Sequence, residues 1–128
     1  MAFSLAAGVL FAVAGSAEEA DFIVRLNEAR EAVFSGPGKA YFDGPFSKSF
    51  YARYPARLSQ CLKSGGVAEP AGFDMLLKLA GDGHVEAAQV NRDSPVATCY
   101  RDLTKKDVFS PPPSPGFWVP VSIRFSTE

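Results

Sequence analysis

Apolar side chains recur along this chain at two spacings, and the change from one to the other marks out its elements. From Glu19 to Phe34, Phe22, Ile23, Leu26, Ala29, Ala32 and Val33 return every three or four positions, with Arg25, Glu28, Arg30 and Glu31 between them. That period predicts an amphipathic helix. Ser35-Gly36-Pro37-Gly38 ends it, since glycine and proline both interrupt helical backbone. Lys39 to Lys48 places Tyr41, Phe42 and Phe46 around an Asp43-Gly44-Pro45 turn signal and reads as an aromatic loop laid over the core. A second helix is expected from Phe50 to Leu62, with Tyr51, Tyr54, Leu58, Cys61 and Leu62 on one face. Pro55 either kinks it or opens its main part, and Lys63-Ser64-Gly65-Gly66 closes it.

The spacing then drops to two. Phe73, Met75, Leu77 and Leu79 alternate with Asp74, Leu76 and Lys78. Gly81-Asp82-Gly83 is a turn, and His84 to Val90 a second strand, so the pair predicts a β-hairpin. Ser94-Pro95 supplies an N-cap and a first-turn proline for a helix with Val96, Cys99, Tyr100 and Leu103 on one stripe. A stiff Pro-rich stretch, Ser110 to Gly116, leads to a last strand. There Phe117, Val119, Val121, Ile123 and Phe125 face one way, and Trp118, Pro120, Ser122 and Arg124 the other. From Phe50 the order is helix, strand, strand, helix, strand. It predicts an α+β fold: a small antiparallel three-stranded sheet with helices on one face, preceded by one or two helices.

Residues 1–17 carry no charged side chain. Their apolar run of about 13 residues fits the core of an export signal and falls short of a membrane span. Small residues at Ala12 and Ala14, or Gly15 and Ala17, offer a cleavage site, although no Lys or Arg precedes the run. Cleavage would leave one small domain; an uncleaved segment would anchor the chain to a membrane. Three spans follow: 1–17 as signal peptide, 18–48 as an N-terminal helix with the aromatic loop, and 49–128 as the main domain. The net charge is −1, with both signs scattered, so no basic surface is offered to nucleic acid.

Cys61 and Cys99 each lie on the apolar stripe of a helix, where a bridge between them would be placed. An exported protein keeps such a bridge; a reactive pair is the other reading, though the two are far apart and not in a Cys-x-x-Cys arrangement. His84, the sole histidine, follows a tight turn, and Asp74, Asp82, Glu86, Asp93, Asp102 and Asp107 are spread along turns and faces. No enzyme, no cofactor and no metal site is expected from these groups. The last strand carries the functional expectation. Pro120 has no N–H for a ladder, which places it on an edge strand, and Trp118, Pro120, Ser122 and Arg124 form its non-core face, where an aromatic and a guanidinium suit contact with a partner.

Leu58-Ser59-Gln60-Cys61-Leu62, the stretch Phe73 to Val90, Ser94 to Leu103, Phe109-Ser110-Pro111-Pro112-Pro113 and Val119 to Phe125 together resemble the C-terminal domain of TonB-type proteins. The likeness is to the two-cysteine branch and to the β-β-α-β core shared with TolA. It implies a Cys61–Cys99 disulfide and a periplasmic or secreted module that binds an envelope or outer-membrane protein, with a partner's extended peptide added at the last strand. No long Pro-rich spacer separates the apolar segment from the domain, so the resemblance implies the terminal module alone, without energy transduction. The competing expectation is a small secreted inhibitor or structural accessory protein that acts through the aromatic 39–54 region.

Overall fold

The computed structural model describes residues 19–65 and 72–124. The signal-like segment 1–17, and Phe125 of the last strand, lie outside the described residues. Helix α1 covers residues 19–32. Its stripe buries Leu26 and Ala29 and half-buries Phe22, but Ile23, expected on the same stripe, is 56% exposed.

Past a turn at 33–35 the backbone becomes helical again and stays so through α2 (Gly36–Tyr41), a π-helical stretch (Phe42–Phe46) and α3 (Ser47–Gly65). The aromatic loop expected at 39–48 is therefore helix, and the expected boundary at 48/49 runs through it. Pro37 sits in the first turn, where its missing N–H costs nothing. Pro45 falls inside the π-helical stretch, whose wider i→i+5 pattern allows Tyr41 and Phe46, five residues apart, both to reach the core. Turn residues in the sequence were outweighed by the burial of Tyr41, Phe46 and Phe50. Each such ring contributes on the order of 2 kcal/mol when removed from water. The core face of α3 runs through Phe50, Tyr54, Leu58, Cys61 and Leu62; Tyr51, expected on it, is turned out to solvent.

Strands β1 (Phe73–Leu79), β2 (Val85–Val90) and β3 (Phe117–Ile123) form one sheet in the order β2-β1-β3, with both pairings antiparallel. The α+β class and the three-stranded antiparallel sheet are as the pattern predicts. The hairpin turn closes with Ala80 N–H to His84 C=O (2.8 Å), and Asp82 Oδ1 accepts from the His84 N–H at 3.1 Å. Gly83 has φ +97, and a Cβ there would lie 1.8 Å from the Phe109 carbonyl oxygen, so only glycine fits. Helix α4 (Pro95–Thr104) starts as expected, the Ser94 hydroxyl accepting from Ala97 N–H at 3.2 Å.

One face of the sheet, formed by Phe73, Met75, Leu77, Leu79, Val119, Val121 and Ile123, packs against the helices of residues 36–65 and α4. The Cys61–Cys99 disulfide joins α3 to α4 with Cα atoms 5.6 Å apart. The opposite face has its own small core: Leu76, fully buried, lies under Leu26 and Ala29 of α1, with Phe22 and Trp118 at the rim. The sheet is thus covered on both faces, and α1, which the strand pattern left unassigned, takes the second. The chain crosses from one face to the other beside the start of β3. A Cβ on Gly38 would lie 1.8 Å from the Ala32 carbonyl and 3.5 Å from the Phe117 ring, and the Tyr41 and Phe117 rings meet edge-on at 5.9 Å.

Candidate protein-binding edge

Which way the β3 backbone points follows from the register. Asn91 donates its N–H to the Asp74 carbonyl at 3.1 Å, and the Asp74 N–H donates to the Asn91 side chain at 2.9 Å. The main-chain groups of Asp74, and of Leu76 and Lys78 at the same parity, therefore serve β2, while those of Phe73, Met75 and Leu77 serve β3. Their partners Ile123, Val121 and Val119 bond inward. Trp118, Pro120 and Ser122, opposite Lys78, Leu76 and Asp74, turn their main-chain groups outward. Among the described residues β3 has β1 as its only strand neighbour. Its open edge offers the carbonyls of Trp118, Pro120 and Ser122 but the N–H groups of Trp118 and Ser122 only, because proline has none. An edge with its central donor deleted resists indiscriminate strand pairing while keeping sites at both ends.

The four side chains singled out on this strand share one sheet face, and the structure gives each an internal partner or cover. The Trp118 ring, half-buried, carries the Arg25 guanidinium of α1 at 4.7 Å and the Lys78 ammonium at 5.9 Å. Pro120 is buried. The Ser122 hydroxyl donates to Asp74 Oδ1 at 2.9 Å. Arg124 donates to Asp74 Oδ1 at 3.0 Å and to the carbonyls of Phe73 and Ile123 at 3.1 and 2.9 Å. The cover over Trp118 comes from α1. Asp74 is the hub, with Arg30 of α1 as a further cation at 3.8 Å. Sequence reading placed it only as a polar member of an alternating strand. The available signal was Leu76, an apolar residue between Asp74 and Lys78 on the nominally wet face, which announces a cover over that side.

The remaining candidate chemistry is spent on structure. His84 pairs its Nδ1 with Asp82 Oδ2 at 2.9 Å on an exposed turn, and the His84 amide bond is the leading reason the Asp82 carboxyl titrates below its ordinary range. Asp107, buried, receives both Arg57 Nη groups at 2.6 Å, with Arg53 at 3.5 Å, tying α3 to the turn after α4. Burial pushes the Tyr41 hydroxyl up to about 12, and that hydroxyl donates to the Ser110 carbonyl at 2.7 Å. Among the described residues no group of His, Cys, Asp or Glu is arranged to hold a metal ion. None of the described helices is long and apolar enough to cross a membrane.

Set beside known proteins, the chain matches no family model, no curated protein and no solved structure.

Proposed function

We propose that this protein is an exported, non-enzymatic binding module of the TonB C-terminal type, periplasmic or secreted, that takes up an extended segment of an envelope or outer-membrane protein along β3. The observation that carries the reading is the outward edge at Trp118, Pro120 and Ser122, with no strand beyond it among the described residues. Main-chain bonds to such an edge supply affinity, and the alternate side chains beside it supply selection. The disulfide supports an oxidising compartment. His84 and Asp107 are occupied in a turn and an ion cluster, which supports a role in binding over one in catalysis. In the rival region 39–54, Tyr41, Phe46 and Phe50 are core residues, and Tyr51 is the aromatic left exposed there.

Trp118 and Arg124 make poor probes, since both are engaged inside the fold. Ser122 is a better one. Ser122→Pro deletes an outward N–H, together with the hydroxyl bond to Asp74, without removing a main-chain bond to β1, and Ser122→Ala removes the same hydroxyl bond but keeps that N–H. Capture of the partner by cross-linking in the native envelope is expected to survive Ser122→Ala and to fall about tenfold with Ser122→Pro, the worth of one well-made hydrogen bond. Equal capture by both variants would falsify docking at this edge.

A further inference from the structure

The hairpin turn at 80–84 joins two requirements that pull against each other. Gly83 must be glycine, since its φ is +97 and a Cβ there would lie 1.8 Å from the Phe109 carbonyl oxygen. The residue before it is Asp82, whose side chain is 68% exposed. An aspartate followed by glycine is where a main-chain nitrogen most readily reaches its neighbour's carboxyl, because no side chain crowds the approach. The fold cannot supply that crowding at Gly83. Instead it engages both reacting groups elsewhere. Asp82 Oδ1 accepts from the His84 N–H at 3.1 Å, Oδ2 accepts from His84 Nδ1–H at 2.9 Å, and the Gly83 N–H donates to the Ala80 carbonyl at 2.9 Å.

We propose that Asp82–Gly83 is a backbone-modification site, at which aspartate converts to isoaspartate, and that the His84 side chain holds the conversion in check. In the first step the Gly83 nitrogen bonds to Asp82 Cγ as a Cγ–O bond breaks. The amide proton and the carboxyl hydroxyl leave as one water, and a five-membered succinimide remains. Water then reopens the ring. Opening at Cγ returns aspartate, while opening at the main-chain carbonyl leaves the chain running through Cγ. Water is the only co-reactant. The bonds from His84, its amide first and its ring second, keep the Asp82 carboxyl below its ordinary range and so in the carboxylate form, which has no hydroxyl to lose. The product carries one extra methylene in the main chain before Gly83, where there is no room for it. Gly83 lies against the Phe109 backbone and accepts the Phe109 N–H at 2.9 Å, beside the His84–Val108 bridge. Isomerisation would therefore unlatch the segment after α4 from the hairpin.

The test is incubation of the purified, disulfide-intact protein at neutral pH, with peptide mapping that separates isoaspartate from aspartate at position 82. A free peptide spanning Leu79 to Glu86 sets the unrestrained rate, and the protein is expected to convert more slowly than it. His84→Ala removes the ring bond and keeps the amide bond, and should speed conversion about threefold. His84→Asn, whose Nδ2 stands where the His84 Nδ1 does, should bring the rate back towards that of the unaltered protein. In the isomerised fraction the Phe109 amide should exchange freely while amides of β1 stay protected. Any of four results overturns the inference. No isoaspartate in the protein or in His84→Ala, once the peptide has converted, removes the site. Equal rates for the protein and His84→Ala remove the check. His84→Asn as fast as His84→Ala would assign the change to a loosened turn, and undiminished Phe109 protection in the isomerised fraction removes the latch.

Discussion

Buried phenols set the alkaline limit of this fold. Tyr41 is raised to about 12, and Tyr100 and Tyr54 are raised as well, in each case chiefly because burial disfavours the phenolate. A group whose folded pKa lies above its unfolded value stabilises the fold fully below the unfolded value, and that stability is lost as pH rises through the folded one. The ordinary tyrosine value is 10.0, so the urea midpoint should hold from neutral pH to about 10 and then fall steadily towards about 12. Tyr41→Phe should flatten part of that fall, at the cost of the bond to the Ser110 carbonyl. A midpoint independent of pH across this window would show that these rings are not buried. Asp74 and Asp107 each gather guanidinium partners, so their pairs cross-brace α1 to the sheet and α3 to the turn after α4.

Among the elements, α1 is held differently from the rest. Its attachment rests on Leu26 and Ala29 over Leu76, on the Arg25–Trp118 stack and on the long Arg30–Asp74 pair. The helices on the other face share a much larger core and a disulfide. Truncating Leu26 removes the central contact of the smaller cluster, a loss of about 2–3 kcal/mol. Leu26→Ala should therefore raise hydrogen exchange throughout residues 19–32 while amides of β1 facing β3 stay protected. Uniform loss of protection in helix and sheet together would mean that the two cores unfold as one. The same contrast explains why the helix over residues 36–65 eluded pattern reading. Gly36, Pro37, Gly44 and Pro45 are local signals of interruption, yet they act against aromatic burial that no local window contains.

For the molecule as a whole, one covalent tie crosses between α3 and α4 on the larger core. Closing a loop over a separation of 38 residues should be worth roughly 3–4 kcal/mol through the unfolded chain. Reduction, or Cys61→Ser with Cys99→Ser, should lower stability by about that amount, read as a shift in the denaturant midpoint. An unchanged midpoint would make the bridge ornamental to folding.

The strands, the hairpin turn, the Ser94 cap and the facing cysteines were all legible because each rests on contacts within a few residues or on a single period: alternation for strands, one hydroxyl for a cap, one glycine for a turn. The edge position of β3 was legible for a similar reason, since Pro120 states locally that its missing N–H has no ladder to serve. Three features belonged to the tertiary structure alone: the helical course of residues 39–48, the seating of α1 on the second face of the sheet, and the gathering of Ser122, Arg124 and Arg30 about Asp74. Each depends on partners dozens of positions away, whose burial outweighs the local preferences that a linear pattern can express.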